Sequence, residues 1–405
     1  MQPSVRLRRT ALALLITAPA LLPTTPTATA DDVKITIQTT PDSTTNPPQT
    51  DALPTDAPAI DVAIDVAILL DTSNSMDGLI NQARTQLWKI VRELADTKKD
   101  GQTPSLRVAV LEYGNTDLPA TEDYIRTVVP LTDDLDRISQ GLFGLDTDGG
   151  DEYCGAVIDA AIKRLNWSDQ AGAFKVIFIA GNEPFDQGTT PYQSACATAA
   201  ARGILVNTLH CGPQPAGVSG HWSDAAKIAG GKFMNIDQDR RIVRITAPQD
   251  KLILELNTRL NKTYLWYGQR EQREALETNQ IAQDANADRF GSATQRALTK
   301  STAAYSNVGR DLIDTYAKDP EILDKLDDTQ LPQPLQNLPP QQRVEKLNEI
   351  TAQRKSIQTQ LADLAKARQA YIETQATPGK DENTLGSAIT TAIQSQLRTA
   401  GFQTK

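Results

Sequence analysis

Val62-Ala63-Ile64-Asp65-Val66-Ala67-Ile68-Leu69-Leu70-Asp71-Thr72-Ser73-Asn74-Ser75-Met76 starts as an aliphatic run and ends, with no spacer, in small oxygen-bearing side chains. An apolar run of this length suits a strand buried on both faces, as in a parallel sheet. An amphipathic stretch near 78–96 follows, so strand, turn and helix succeed one another directly. In a parallel sheet, ligands gather where the strands end at their carboxyl edge. That places Asp71, Ser73 and Ser75 on one loop at the binding edge. One carboxylate and two hydroxyls suit a hard divalent cation such as Mg²⁺, which prefers oxygen donors. The competing reading is an Asp/Ser turn that caps the next helix.

The same alternation continues outward. Further apolar runs lie at 106–113, 124–131, 174–180, 204–209 and 232–236, separated by amphipathic stretches at 154–166, 190–201 and 222–229. Strands alternating with helices predict an α/β domain over 60–240, with a mostly parallel, doubly wound sheet flanked by helices. From 248 to 405 the strand pattern ends and an all-α region is expected, broken at 320–340 by Pro320, Pro332, Pro334, Pro339 and Pro340. Beyond the break, Leu347, Ile350, Arg354, Ile357, Leu361, Leu364, Arg368 and Tyr371 recur at spacings of three and four. This coiled-coil-like stripe predicts either packing on a neighbouring helix or a partner-binding stalk. The last 25 or so residues are expected to fray.

Residues 1–30 carry Arg6, Arg8 and Arg9, an apolar run over 11–22, and Ala28-Thr29-Ala30 before Asp31. That is the pattern of a secretory signal peptide. Residues 31–59 are rich in Thr, Pro and Asp and predict a disordered linker, with Val33–Ile37 able to add a short strand. No later stretch is apolar enough to span a bilayer. The expected location is periplasmic or secreted.

Composition narrows the function. The 405 residues carry 41 Lys and Arg against 50 Asp and Glu, a net charge of −9, which argues against a nucleic-acid partner. Two histidines in the chain disfavour a zinc hydrolase or a His-based triad. Three cysteines without a C-x-x-C pair exclude a zinc ribbon. An oxidising compartment would allow one disulfide. Cys154 and Cys211, both expected at the carboxyl edge, are the first candidates; the alternative is three small buried residues.

The segment Leu69–Met76 resembles the metal-ion-dependent adhesion site motif of von Willebrand factor type A (vWA) domains. Asp77-Gly78-Leu79-Ile80 and Leu87-Trp88-Lys89-Ile90-Val91 resemble the helix that follows it in secreted bacterial members. Gly149-Gly150-Asp151-Glu152-Tyr153-Cys154-Gly155 resembles their second loop, and Phe178-Ile179-Ala180-Gly181-Asn182-Glu183-Pro184-Phe185 their third. The resemblance covers about 60–240. It implies a divalent cation held by three loops, with Asp71, Ser73 and Ser75 as first-loop ligands. The second-loop ligand, usually threonine, falls on Asp151, with Thr147 competing. The third-loop aspartate is missing: either that ligand is lost, or Asn182 or Glu183 substitutes.

In such a domain the metal cuts no bond. It keeps a position open for an acidic oxygen from a partner. The resemblance therefore implies a non-catalytic binding protein that uses Mg²⁺, Mn²⁺ or Ca²⁺ to engage a protein ligand presenting a carboxylate. The alternatives are an envelope scaffold with a degenerate metal site and helix-mediated contacts, and a metal-assisted hydrolase.

Overall fold

A computed structural model describes residues 62–240, 245–375 and 384–404. The expected signal peptide, linker and Val33–Ile37 strand lie outside these residues.

The opening run forms β1 (Ala63–Asp71), every residue of which is buried. The turn then leads into α1 (Asp77–Ala95), whose Leu79, Ile80, Ala83, Leu87, Trp88 and Val91 form its inner stripe. The α/β part continues with β2 (Ser105–Tyr113), β3 (Ile125–Thr132), α2 (Leu135–Phe143), α3 (Cys154–Arg164), β4 (Phe174–Gly181) and α4 (Tyr192–Ala201). It closes with β5 (Ile204–Cys211), α5 (Gln214–Ser219), α6 (Trp222–Ile228) and β6 (Phe233–Ile236). The strand order is β3-β2-β1-β4-β5-β6. All pairings are parallel except β2 with β3, which is antiparallel and carries register shifts. The chain reverses direction across the sheet between β1 and β4, which opens a crevice at their carboxyl ends.

The α2 helix was not signalled by the longer periodic stretches. Leu135, Ile138 and Leu142 are its buried positions, and Asp134 caps it by accepting the amides of Asp136 and Arg137.

Side chains alternate across β1, and each face has its own core. Ile64, Val66, Ile68 and Leu70 share one apolar cluster with α1 and α2; Ala67 and Leu69 share the other with α3, α4 and α6. This division decides the cysteines. Cys154 belongs to the second cluster and Cys211 to the first, so they sit on opposite faces of the sheet. The expected Cys154–Cys211 disulfide is not formed, and all three cysteines are buried free thiols.

The rest of the chain is helical: α7 (Asp250–Asn261), α8 (Arg270–Arg289), α9 (Ala293–Thr299), α10 (Leu312–Tyr316), α11 (Ile322–Lys325), α12 (Pro340–Gln375) and α13 (Leu385–Thr399). These helices do not stand apart. Ile253, Leu256, Leu260, Leu298, Ile357, Leu361 and the α13 stripe join the same cluster as α1 and β1. Tyr264 and Trp266, stacked 5.4 Å apart, belong to that cluster too. The proline-containing segment builds a small core of its own from Leu312, Ile313, Ile322, Leu331 and Leu335, against Leu347 and Ile350 of α12.

The α12 stripe is buried at Leu347, Ile350, Arg354, Ile357, Leu361 and Arg368, its later part against the core that holds α7 and α9, with Ala365 taking the inner place next to the half-buried Leu364. The expected fraying of the C-terminus is corrected for residues 384–404. Leu385, Ile389, Ile393 and Leu397 recur every four residues and are fully buried against α1, β5 and β6. That spacing puts all four on one helix face, and the sheet supplies the surface that covers it.

Candidate metal centre

Asp71 is the last residue of β1 and has no solvent exposure. Its Oδ1 accepts the Ser73 amide at 2.8 Å, which folds the chain back over the strand end. Thr72 turns away from this pocket. Its amide bonds the Tyr113 carbonyl at 2.9 Å and its hydroxyl donates to Glu112 at 3.3 Å. Ser73 is buried and Ser75 exposed. On the far side of the crevice, the amide nitrogen of Asn182, just past β4, donates to the Ser75 hydroxyl at 3.2 Å. The first and third loops therefore meet through Ser75 and Asn182.

The second loop lies over the first. The Asp148 amide donates to the Thr72 carbonyl at 3.0 Å, and the Thr116 amide to the Gly149 carbonyl at 2.6 Å. Thr147 is drawn off to the side, its hydroxyl donating to Asp77 Oδ1 at 2.5 Å. Asp151 turns outward: it is exposed and accepts the Tyr153 hydroxyl at 3.1 Å. Its neighbour Glu152 is the acid that is buried beside Asp71 and Ser73. The cause is close backbone contact. A Cβ on Gly150 would lie 2.4 Å from the Gly114 carbonyl oxygen, so the loop is pressed onto Gly114 just before Glu152. Gly114 itself has φ +81° and would carry a Cβ 2.7 Å from Glu152 Cγ. The sequence offers two adjacent carboxylates and no cue to which one faces inward. That choice is made by Gly114, from a different strand.

Of the third-loop candidates, Glu183 is exposed and Asn182 half-buried. The glycine before them is required: a Cβ on Gly181 would meet Tyr113 Oη at 2.5 Å and Asp71 Oδ2 at 2.9 Å.

The crevice holds oxygen atoms that the protein leaves unsatisfied. Asp71 Oδ2, Ser73 Oγ and Asn182 Oδ1 are buried without a hydrogen-bond partner. Burial pushes the Asp71 carboxyl up, and the Ser73 amide on Oδ1 offsets only part of this. Burial and the nearby charge of Asp71 push Glu152 up further, with Glu183 adding to the shift. Among the described residues no lysine or arginine stands among the leading causes of either shift. Two buried carboxyl groups this close cannot both ionise without a counter-charge. A proton between them, or a cation, meets that need. Among the described residues no three His, Cys, Asp or Glu side chains converge as a metal site. A cation here would use hydroxyl and amide oxygens along with the carboxylates, a donor set that fits Mg²⁺, Mn²⁺ or Ca²⁺.

A parallel-sheet domain with an oxygen-lined crevice at its switch point defines a class of ligand-binding α/β modules. Residues 65–231 match the family model of the von Willebrand factor type A domain, and the chain carries a domain of that family. Among solved structures it is similar to BatB from Bacteroides thetaiotaomicron, at 18% identity over 43% of this chain and 91% of that one, with a TM-score of 0.33. It is similar to the SpRpn10 VWA domain, at 16% identity over 43% and 88% and a TM-score of 0.33. A third is proximal thread matrix protein 1 from the mussel byssus with a zinc-occupied MIDAS motif, at 14% identity over 43% of this chain, 41% of that one, and a TM-score of 0.33. No curated protein sequence matches the chain.

Proposed function

We propose that this is a non-catalytic binding protein, acting in the periplasm or outside the cell, that grips an acidic group of a protein partner through a divalent cation. The reading is supported by one observation above all: three buried oxygens at the ends of two neighbouring strands, on Asp71, Ser73 and Asn182, have no partner within the protein. Burying such atoms unpaired costs stability, so a fold that retains them has a use for them. Asp71, Ser73 and Ser75 would hold the cation, with Glu152 in the second-loop role first given to Asp151 and Asn182 in the third-loop role. The cation would supply an open coordination position for an oxygen from the partner. Protein–protein contact is the general business of vWA domains, which agrees with this use. No helix among the described residues is long and apolar enough to cross a membrane.

The non-catalytic reading draws support from the imidazoles. His210 is the histidine nearer the crevice. Its Nε2 donates to the Asn182 carbonyl at 3.2 Å, and its Nδ1 accepts from Asn235 at 3.1 Å. With both nitrogens engaged, this ring is not free to take a proton from a nucleophile. The second reading, a scaffold with a degenerate site, is favoured by a single feature, the absence of a carboxylate at Asn182.

Calorimetric titration with Mg²⁺ and Mn²⁺ tests the proposal. Wild type is expected to give a saturable heat that Asp71→Ala lacks. Equal heats from both proteins would remove the cation from the account. Partner capture from envelope extract that is insensitive to chelator would favour the scaffold.

A further inference from the structure

The chain has two histidines in 405 residues, and both line the same cleft. This cleft, about 470 Å³, lies between the loops that follow β4 and β5. Asn182, Glu183, Asp186, His210, His221 and Trp222 are among its walls. Asn182 thus belongs to two sites, since its side chain also reaches Ser75 at the candidate metal centre.

The walls have a definite chemistry. Trp222 is fully buried, and its indole nitrogen donates to the Glu183 carbonyl at 2.8 Å, which holds the loop in place. His221 stacks on Tyr192 at 5.7 Å. It adopts φ 67°, a left-handed conformation that costs energy for a residue with a Cβ. Both nitrogens of His210 are occupied, by the Asn182 carbonyl and by Asn235. The two carboxylates of the walls, Glu183 and Asp186, have no lysine or arginine beside them in the lining. His221 Nε2 stands 3.7 Å from Asp186, beyond hydrogen-bond range and an ion pair only when the imidazole is protonated.

A walled recess with two carboxylates, no lysine or arginine and a flat imidazole suits a guanidinium or an ammonium group. We infer that this cleft is a subsite for a cationic side chain, arginine or lysine, of the bound partner. The link to the partner rests on the proposed function. Because Asn182 lines both sites, the segment recognised carries its acidic residue close to the basic one. The acid meets the cation on one side of Asn182, and the base enters the cleft on the other.

The two histidines make the test specific. The full chain with ¹³C-labelled histidine has two imidazole signals, both from this cleft. N-acetyl-argininamide carries the cation and no carboxylate, and the titration is run in EDTA. Both signals are expected to shift saturably, while N-acetyl-glutaminamide leaves them in place. Asp186→Asn, at a half-exposed position, is expected to weaken the response about threefold to fivefold, as loss of one surface charge does, and to keep the Mg²⁺ heat. An argininamide response without Mg²⁺ binding would remove the cation reading and leave the cleft standing. No argininamide response, or an equal response to glutaminamide, overturns this inference whatever Mg²⁺ does.

Discussion

Two regions of the molecule bury charge, and they do so in opposite ways. Within the C-terminal helices, and where they meet the α/β part, the fully buried lysine and arginine side chains are paired. Arg296 reaches Asp136 of α2 and Asp284 of α8, both at 2.5 Å, and lies over the Trp88 ring. Lys300, with no exposure, is 3.1 Å from Asp284 and 2.5 Å from Asn261. Arg354 grips Asp311 with two nitrogens at 2.7 and 2.9 Å and donates to Thr263. At the carboxyl edge of the sheet, Asp71 and Glu152 face each other with no basic partner, and neighbouring oxygens stay unsatisfied. Buried charge therefore does not by itself mark a functional site. Paired, it fixes how helices dock; unpaired, it leaves a place for something from outside.

This contrast can be broken by experiment. The largest effect is expected at the paired end. Arg354→Ala strands Asp311, which has no solvent exposure, and should cost about 3–5 kcal/mol in denaturant unfolding. A loss below 1 kcal/mol would mean that the network does not hold the helices. Next comes Gln82, which joins the two regions. Its side chain donates to the Asp237 and Gln238 carbonyls at 2.7 and 2.9 Å and accepts the Leu385 amide at 2.8 Å. Gln82→Ala leaves these groups unpaired and should cost about 1–3 kcal/mol. Because Gln238 donates to the Ser75 carbonyl at 2.8 Å, a change in Mg²⁺ affinity in this variant would show that the helical region bears on the candidate site.

A pH experiment sharpens the same comparison. Burial alone would raise the Asp284 pKa, but Lys300, Arg296 and Asn261 overcome it and hold the carboxyl below the usual carboxylate range. Folding therefore favours its ionised form. That stabilisation is complete above the unfolded value of about 3.9 and is lost as pH falls toward the folded one. The melting temperature should drop on acidification below about pH 4, with a shallower drop in Asp284→Asn. The smallest effect has the opposite sign. Asp71 has a raised pKa, so its ionised form is a burden to the metal-free fold at neutral pH. Asp71→Asn should raise metal-free stability by about 1 kcal/mol and abolish any gain from Mg²⁺. Destabilisation instead would place Asp71 with the paired, structural charges.

Much of this was legible from residue order. The six apolar runs correspond to the six strands, and the clearest of them, β1, β2, β4 and β5, are buried on both faces, which leaves an aliphatic signature. Asp71, Ser73 and Ser75 could be placed on one loop because they lie within five residues at a strand end. Glu152 was hidden behind Asp151, since which of two adjacent acids faces in depends on contact with Gly114. The pairing of cysteines misled for a related reason. Cys154 and Cys211 share an edge in sequence terms but occupy different faces of the sheet. The α13 stripe was readable at Leu385, Ile389, Ile393 and Leu397, and only its position at the chain end argued against it.

Sequence by itself determined the alternation of strands and helices, the loop that carries Asp71 and the buried stripe of α12, because each follows from local spacing. Only the tertiary structure decided that the helices share a core with the sheet, that Glu152 rather than Asp151 faces Asp71, and that His210 and His221 line one cleft with Asn182 and Asp186. Those outcomes depend on which surfaces close over which, and contacts between residues far apart in the chain leave no local periodicity to read.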